Sequence, residues 1–234
     1  MTKPLYLEDS YMKEFTAKVT SVDGCKVELD QSAFYPESGG QPGDQGKIFI
    51  GDDEFNVKLA RKDKGRTVHE VEKEGLAPCD EVTGEIDWER RYRLMRMHTA
   101  AHVLSGIISQ ETGADITGNQ LGIERSRIDF SLQDFDREQL QSYEGEANEL
   151  IAKELPVNMV TLPREEAFKI PSIVKLRMML PESVKQIRIV DIEGFDKQAC
   201  GGTHVKNIKE IGNVSITGAE NKGKDNRRIY FTIG

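Results

Sequence analysis

Long apolar runs are missing from this 234-residue chain, and no stretch approaches the length of a membrane span. The first residues, MTKPLYLEDSYMKEF, lack the apolar core of a signal peptide, so a cytoplasmic protein with no membrane partner is expected. Cysteine is scarce: Cys25, Cys79 and Cys200. An odd, small number argues against a disulfide framework, so each thiol needs its own explanation. Cys25, in a strand-like run, and Cys79, near a turn, read as structural or incidental thiols. Internal repeats and low-complexity segments are also missing, which excludes repeat architectures. Positive charge is not in excess: the net charge is −8. That argues against a nonspecific nucleic-acid binder, because phosphate contacts need Lys and Arg, but it leaves room for a local basic patch.

Four stretches could supply such a patch: Arg61-Lys62-Lys64-Arg66, Arg90-Arg91-Arg93-Arg96, Lys175-Arg177 with Lys185-Arg188, and Lys222-Lys224-Arg227-Arg228. A solvated charged face is the plainer account of any one of them. The hydrophobic fraction of 37% and charged fraction of 31% suit a folded globular protein with a real core. The length allows one large domain or two small ones.

Residues 1 to about 86 read as β-rich. FTAKVTSV, CKVELD, KIFI and FNVKLA alternate or carry β-branched residues, with turns at Gly24, Gly51 and Asp52-Asp53. Strands this short and this closely spaced suggest a small barrel. Within it lies SAFYPESGGQPGDQG (32–46), whose four glycines and two prolines exclude an ordinary strand or helix. It is either a plain long loop or one whose backbone must approach a ligand closely. Asp87 then reads as the N-cap of a long helix ended by Gly113, with Leu94, His98, Ala101, His102, Ser105 and Ile108 on one face. A strand at 126–132, a helix from Asp136 to Glu154, a strand at VNMVTL, a short helix at EEAFKI, a strand pair or hairpin at VKQIRIVDIEG and a β tail follow. The expected fold is α+β: a β-barrel domain over 1–86, then an α+β domain over 87–234.

Three of the four histidines lie in two short motifs, His98-Thr99-Ala100-Ala101-His102 and Cys200-Gly201-Gly202-Thr203-His204. Residues four apart stack on one helical face, so His98 and His102 can hold one metal ion between them. The second motif adds a soft thiolate and a third imidazole, and one Cys with three His suits zinc. A long stretch of chain separates the motifs. Joining a helix to a distant loop is more typical of an active-site cleft than of a zinc knuckle. Gly201 and Gly202 leave backbone N–H groups free to meet a carbonyl or phosphate. Four protein ligands fill a tetrahedron, and no Glu follows His98, so the protease scheme of HExxH fails here. His69 has no partner motif and reads as a surface or strand histidine.

These residues resemble a known family. DWERRYRLMRMHTAAHVL and QACGGTHV resemble the two signature motifs of the alanyl-tRNA synthetase editing domain. FYPESGGQPGDQG resembles the glycine-rich motif of its preceding barrel, and IGNVSITGAENKGKDNRRIYF the segment that closes the domain. The order is kept across nearly the whole chain, without the synthetase's other domains. That pattern resembles the free-standing AlaX family in its longer form. The resemblance implies a small β-barrel followed by the two-layer α+β domain common to threonyl- and alanyl-tRNA synthetases. It implies Zn2+ on His98, His102, Cys200 and His204, and hydrolysis of the ester joining a wrong amino acid to the tRNA 3′ end. It places Gly39, Gly40, Gln41 and Gly43 near the cleft, as substrate-binding glycines and a catalytic candidate. It makes Thr117 the first choice for a polar pocket residue, Glu37 a candidate beside the ester, and Gly201 and Gly202 substrate-binding.

The implied activity is removal of serine from alanine tRNA in trans, with glycine a second candidate and mischarged tRNA the partner. An alanine pocket cannot strongly reject a small added hydroxyl, so a second site that hydrogen-bonds the hydroxyl must do so. An editor of another mischarged tRNA and a non-catalytic, zinc-stabilised RNA-binding module are the alternatives. Oligomeric state is not legible.

Overall fold

Strict alternation drives the N-terminal region into strands. β1 (Lys3–Pro4) and α1 (Leu5–Glu8) precede β2 (Glu14–Asp23), in which Phe15, Ala17 and Val19 turn inward while their neighbours face solvent. β3 (Lys26–Leu29), β4 (Gln31–Ser32), β5 (Gly46–Ile50), β6 (Asp53–Asp63), β7 (Arg66–Val71) and β8 (Glu81–Ile86) follow. Six of them close into an antiparallel barrel in the order β2-β3-β7-β6-β5-β8. Val27, Leu29, Ile48, Phe55, Val57, Val71, Val82 and Ile86 fill it. Closure leaves no open sheet edge, which is how a small all-β unit avoids exposing unpaired backbone.

This computed structural model describes residues 2–134, 136–174 and 182–234. By contacts the chain forms two units, Met1–Met95 with Gln120–Ile123 and Arg96–Asn119 with Glu124–Gly234. The division runs through α2 (Trp88–Thr112). Asp87 caps that helix, its carboxylate accepting the Arg90 N–H at 3.1 Å. The expected ligand-bearing face is buried, but so is every residue from Met97 to Ile108. α2 is therefore a central helix, enclosed on all sides.

β9 (Ile116–Gln120), β10 (Ser126–Phe130), α3 (Arg137–Ile151), β11 (Val157–Pro163), α4 (Arg164–Ala167), α5 (Pro171–Val174), β12 (Gln186–Ile192), β13 (Asp196–Ala199), a 3-10 turn (Ile208–Ile211), β14 (Val214–Gly223) and β15 (Asn226–Ile233) complete the described elements. β14-β15-β10-β9 form one sheet and β11-β12-β13 another. α3 starts from a capping box between Asp136 and Gln139, and its Asn148 side chain clamps both backbone groups of Val214 at 2.9 Å. The VKQIRIVDIEG segment supplies a single strand, β12, whose hairpin partner β13 comes after it and leads directly to Cys200.

Two readings need correction. Cys25 sits in the turn between β2 and β3, packed against the barrel core, rather than inside a strand. His69 is in a strand but is wholly buried, not at the surface. Its Nδ1–H donates to the Val27 carbonyl at 3.0 Å, and its Nε2 accepts from the Ser32 hydroxyl at 2.8 Å. The pairing of both ring nitrogens makes the burial tolerable.

Candidate metal centre

Helix geometry places the first two ligands. His98 and His102 project from α2 one turn apart, with ring centroids 5.3 Å from each other. The β12–β13 hairpin delivers the other two, Cys200 just past the end of β13 and His204 four residues on. The His204 ring centroid lies 4.2 Å from that of His98 and 4.6 Å from that of His102. Cys200 Sγ is 3.4 Å from both His98 Nε2 and His204 Nε2. All four ligand atoms fall within 4.8 Å of one another. A tetrahedral site with metal–ligand bonds near 2.0–2.3 Å has ligand atoms roughly 3.3–3.8 Å apart. The cluster could therefore hold a metal ion with little rearrangement.

Neighbouring groups orient the ligands. Thr99 Oγ1 lies 3.1 Å from His204 Nδ1 and accepts the Val205 N–H at 3.3 Å, so His204 is left with Nε2 facing the cluster. The Gly202 N–H donates to Cys200 Sγ at 3.4 Å. Arg188, on β12, donates from one nitrogen to the carbonyls of both Cys200 and Gly202 at 2.9 Å, and from the other to Met159 Sδ at 2.9 Å.

The electrostatics favour neutral imidazoles. Burial, then the His102 ring and the Arg188 cation, hold His98 well below the usual histidine range. Burial and Arg188 bring His102 down to about 4. His204 is lowered well below its ordinary value by burial, His98, His102 and Arg188. Burial pushes the Cys200 thiol up, against the opposing effects of the Gly202 N–H and Arg188. Neutral imidazoles are already in ligand form, whereas metal uptake must release the thiol proton. The histidines are buried, whereas Cys200 is half-buried and the next residue, Gly201, is exposed.

The other predicted residues are distributed as follows. Thr117 is exposed on β9, its hydroxyl 3.2 Å from Asn226 Oδ1. Glu37, Gly39, Gly40, Gln41 and Gly43 belong to the barrel unit. Glu37 is exposed, with its N–H on the Ala60 carbonyl, while the Gln41 side chain is fully buried. Gly39 and Gly40 take φ of 58° and 82° in the turn closed by Ser38 and Gln41. Gly43 presses on β6: a Cβ there would sit 2.0 Å from the Ala60 carbonyl oxygen. Within this unit, the crowding of the loop is thus against the barrel itself.

Reading the arginines of α2 as a phosphate-binding patch fails for Arg91. It is wholly buried, pairing through Nε with Asp44 at 2.9 and 3.0 Å and donating to the carbonyls of Ser10 and Ala33. The pair anchors the glycine-rich loop to the first turns of α2. Arg90 reaches the Gly43 carbonyl, Arg93 that of Ile123, and Arg96 those of Ile211 and Gly234. Lys175 and Arg177 lie outside the described residues. Arg188 turns out to serve the metal cluster. Its sequence signal is a cation flanked by Ile187 and Ile189 in a strand of mostly apolar residues.

Residues 187–230 match the model of the threonyl and alanyl tRNA synthetase second additional domain. Residues 6–90 match that of class II (A) tRNA synthetases. The chain is 39% identical over 238 residues to the alanine–tRNA ligase of Pyrococcus abyssi, covering all of this chain and 26% of the ligase. It is 42% identical over 236 residues to the alanyl-tRNA editing protein AlaX-M of Saccharolobus solfataricus, and 52% identical over 241 residues to that of Methanosarcina barkeri. Both of these alignments cover 100% of this chain and 99% of the relative. The chain belongs to the AlaX-M family of alanyl-tRNA editing proteins.

Proposed function

We propose that this protein is a zinc-dependent hydrolase that edits alanine tRNA in trans, releasing serine attached in error. The observation that carries this reading is the convergence of His98, His102, Cys200 and His204 within 4.8 Å, beside the exposed Gly201. The relatives' names supply the substrate class, alanyl-tRNA. One sulfur and three nitrogen donors favour zinc over the harder cations. Bound there, zinc supplies Lewis-acid polarisation and positioning of the ester.

The chain's own groups do the rest. Among the described residues the exposed Gly201 N–H makes no hydrogen bond, so it is available to an ester carbonyl as negative charge develops. Thr117 is the proposed partner of the serine hydroxyl, exchanging its contact with Asn226 for the substrate. An alanyl ester offers no hydroxyl for this exchange, so Thr117 would keep its contact with Asn226. Glu37 is proposed to act beside the ester; Gln41, being buried, would act by shaping the loop of Gly39, Gly40 and Gly43. In this reading residues 87–234 carry the chemistry, and the barrel of 1–86 with the exposed β14–β15 end bearing Lys222 and Lys224 helps to hold the tRNA.

The test is deacylation of alanine tRNA charged separately with serine, glycine and alanine. Rapid release of serine with alanine spared is expected, and the glycine rate defines the lower limit of the pocket. No hydrolysis of any of the three, with tRNA still bound, would favour an RNA-binding module instead.

A further inference from the structure

Past Ala199 the chain leaves its sheet, and the last ladder bond is Cys200 N–H to the Arg188 carbonyl at 3.1 Å. The turn that follows buries Gly202 and Thr203 but leaves its first residue uncovered. Gly201 is exposed, and nothing lies within 4 Å of where its Cβ would be. Glycine pairs are conformationally free, so such a turn would sample many shapes unless hydrogen bonds select one. Arg188 supplies them. One of its nitrogens takes the two carbonyls that flank Gly201, both at 2.9 Å. The guanidinium is itself placed by β12, the central strand of its sheet, and by Met159 on β11.

We propose that Arg188 is a positioning residue that holds the Cys200–Gly202 turn in the one shape serving both the metal and the substrate; this rests on the metal reading of the cluster. The first consequence concerns sulfur. With both carbonyls drawn to Arg188, the Gly202 N–H is left on Sγ and Sγ faces His98 and His204. The second concerns the backbone. No peptide bond here is cis, and in a trans peptide the N–H points opposite to the C=O. Drawing the Cys200 carbonyl toward Arg188 therefore aims the Gly201 N–H away from it, where an ester carbonyl can meet it. A lysine, with one nitrogen carrying three donors, could bridge the same two carbonyls, whereas methionine could not.

The experiment compares zinc affinity, by chelator competition, in the full chain and its R188M, R188K and M159L variants. The cobalt(II) thiolate charge-transfer band and the melting of the metal-free proteins are read alongside. R188M is expected to bind zinc roughly 10–100-fold more weakly, as for other groups that orient ligands. Its cobalt–thiolate band should weaken, with melting of the metal-free form little changed. R188K should recover most of the affinity and the band, and M159L should match the wild type. In deacylation, R188M at saturating zinc should lose kcat more than it raises KM. Wild-type affinity and band in R188M, or R188K no better than R188M, would overturn the proposal. Should R188M fail to fold, R188Q takes its place under the same readings. Wild-type protein that binds no zinc would overturn the metal reading as well, so the two failures are distinguishable.

Discussion

His69 is a wholly buried base, so its charged form is penalised by the loss of water. Burial lowers its pKa to about 4, against an ordinary 6.5, despite the opposing bond to the Val27 carbonyl. As pH falls, the unfolded chain takes up this proton first. The stabilising contribution is therefore full above pH 6.5 and is lost between pH 6.5 and 4, amounting to about 3 kcal/mol. His69→Gln should flatten that limb: its stability to urea should fall less than that of the wild type between pH 7 and 4.5. Equal slopes for the two proteins would place the acid sensitivity elsewhere. At this scale some residues are legible in sequence and others are not. The four residues of the candidate metal cluster are legible because they are rare residue types at set spacings. Arg91 and Arg188 are not, because a cation in a sequence says nothing about its partner. One pairs with Asp44 inside the barrel unit, and the other holds the cysteine turn.

Among the elements, α2 shows why a helix can be legible while its surroundings are not. Its start at Asp87, its end before Gly113 and its His-bearing face all follow from caps and periodicity. That its other faces are buried too depends on sheets contributed by distant segments. Gly106 is an instance: a Cβ there would lie 2.7 Å from ring atoms of Phe195, in the β12–β13 turn. The glycine-rich loop is the converse case. Its composition admits either a ligand or a plain loop, and within its own unit the crowding at Gly43 comes from the β6 backbone. Gly43→Ala would set a methyl 2.0 Å from a carbonyl oxygen that cannot swing aside. We expect a loss of about 1–3 kcal/mol or more in thermal unfolding. A variant as stable as the wild type would mean that the loop shifts freely from the barrel.

For the molecule as a whole, a metal on the four residues would tie α2 to a hairpin far along the chain, where Met97, Val103, Leu104 and Ile108 are buried without it. The barrel core lies entirely in the other unit, and a separate cluster of Ala167, Ile173, Ile187 and Ile189 packs on the face of β12. Chelation is expected to abolish deacylation and lower the melting temperature while far-UV circular dichroism stays near that of the loaded protein. Wholesale unfolding on metal loss would make the site structural rather than catalytic. Taken by itself, the sequence determined the α+β class, the long helix of the His98 and His102 motif, the two motifs that supply the candidate cluster and the family, since these depend on local periodicity and on residue types. Only the tertiary structure decided which arginines are buried, that His69 is enclosed, and that Arg188 governs the cysteine turn. Those depend on partners remote in sequence, and nothing local to either residue encodes the distance between them.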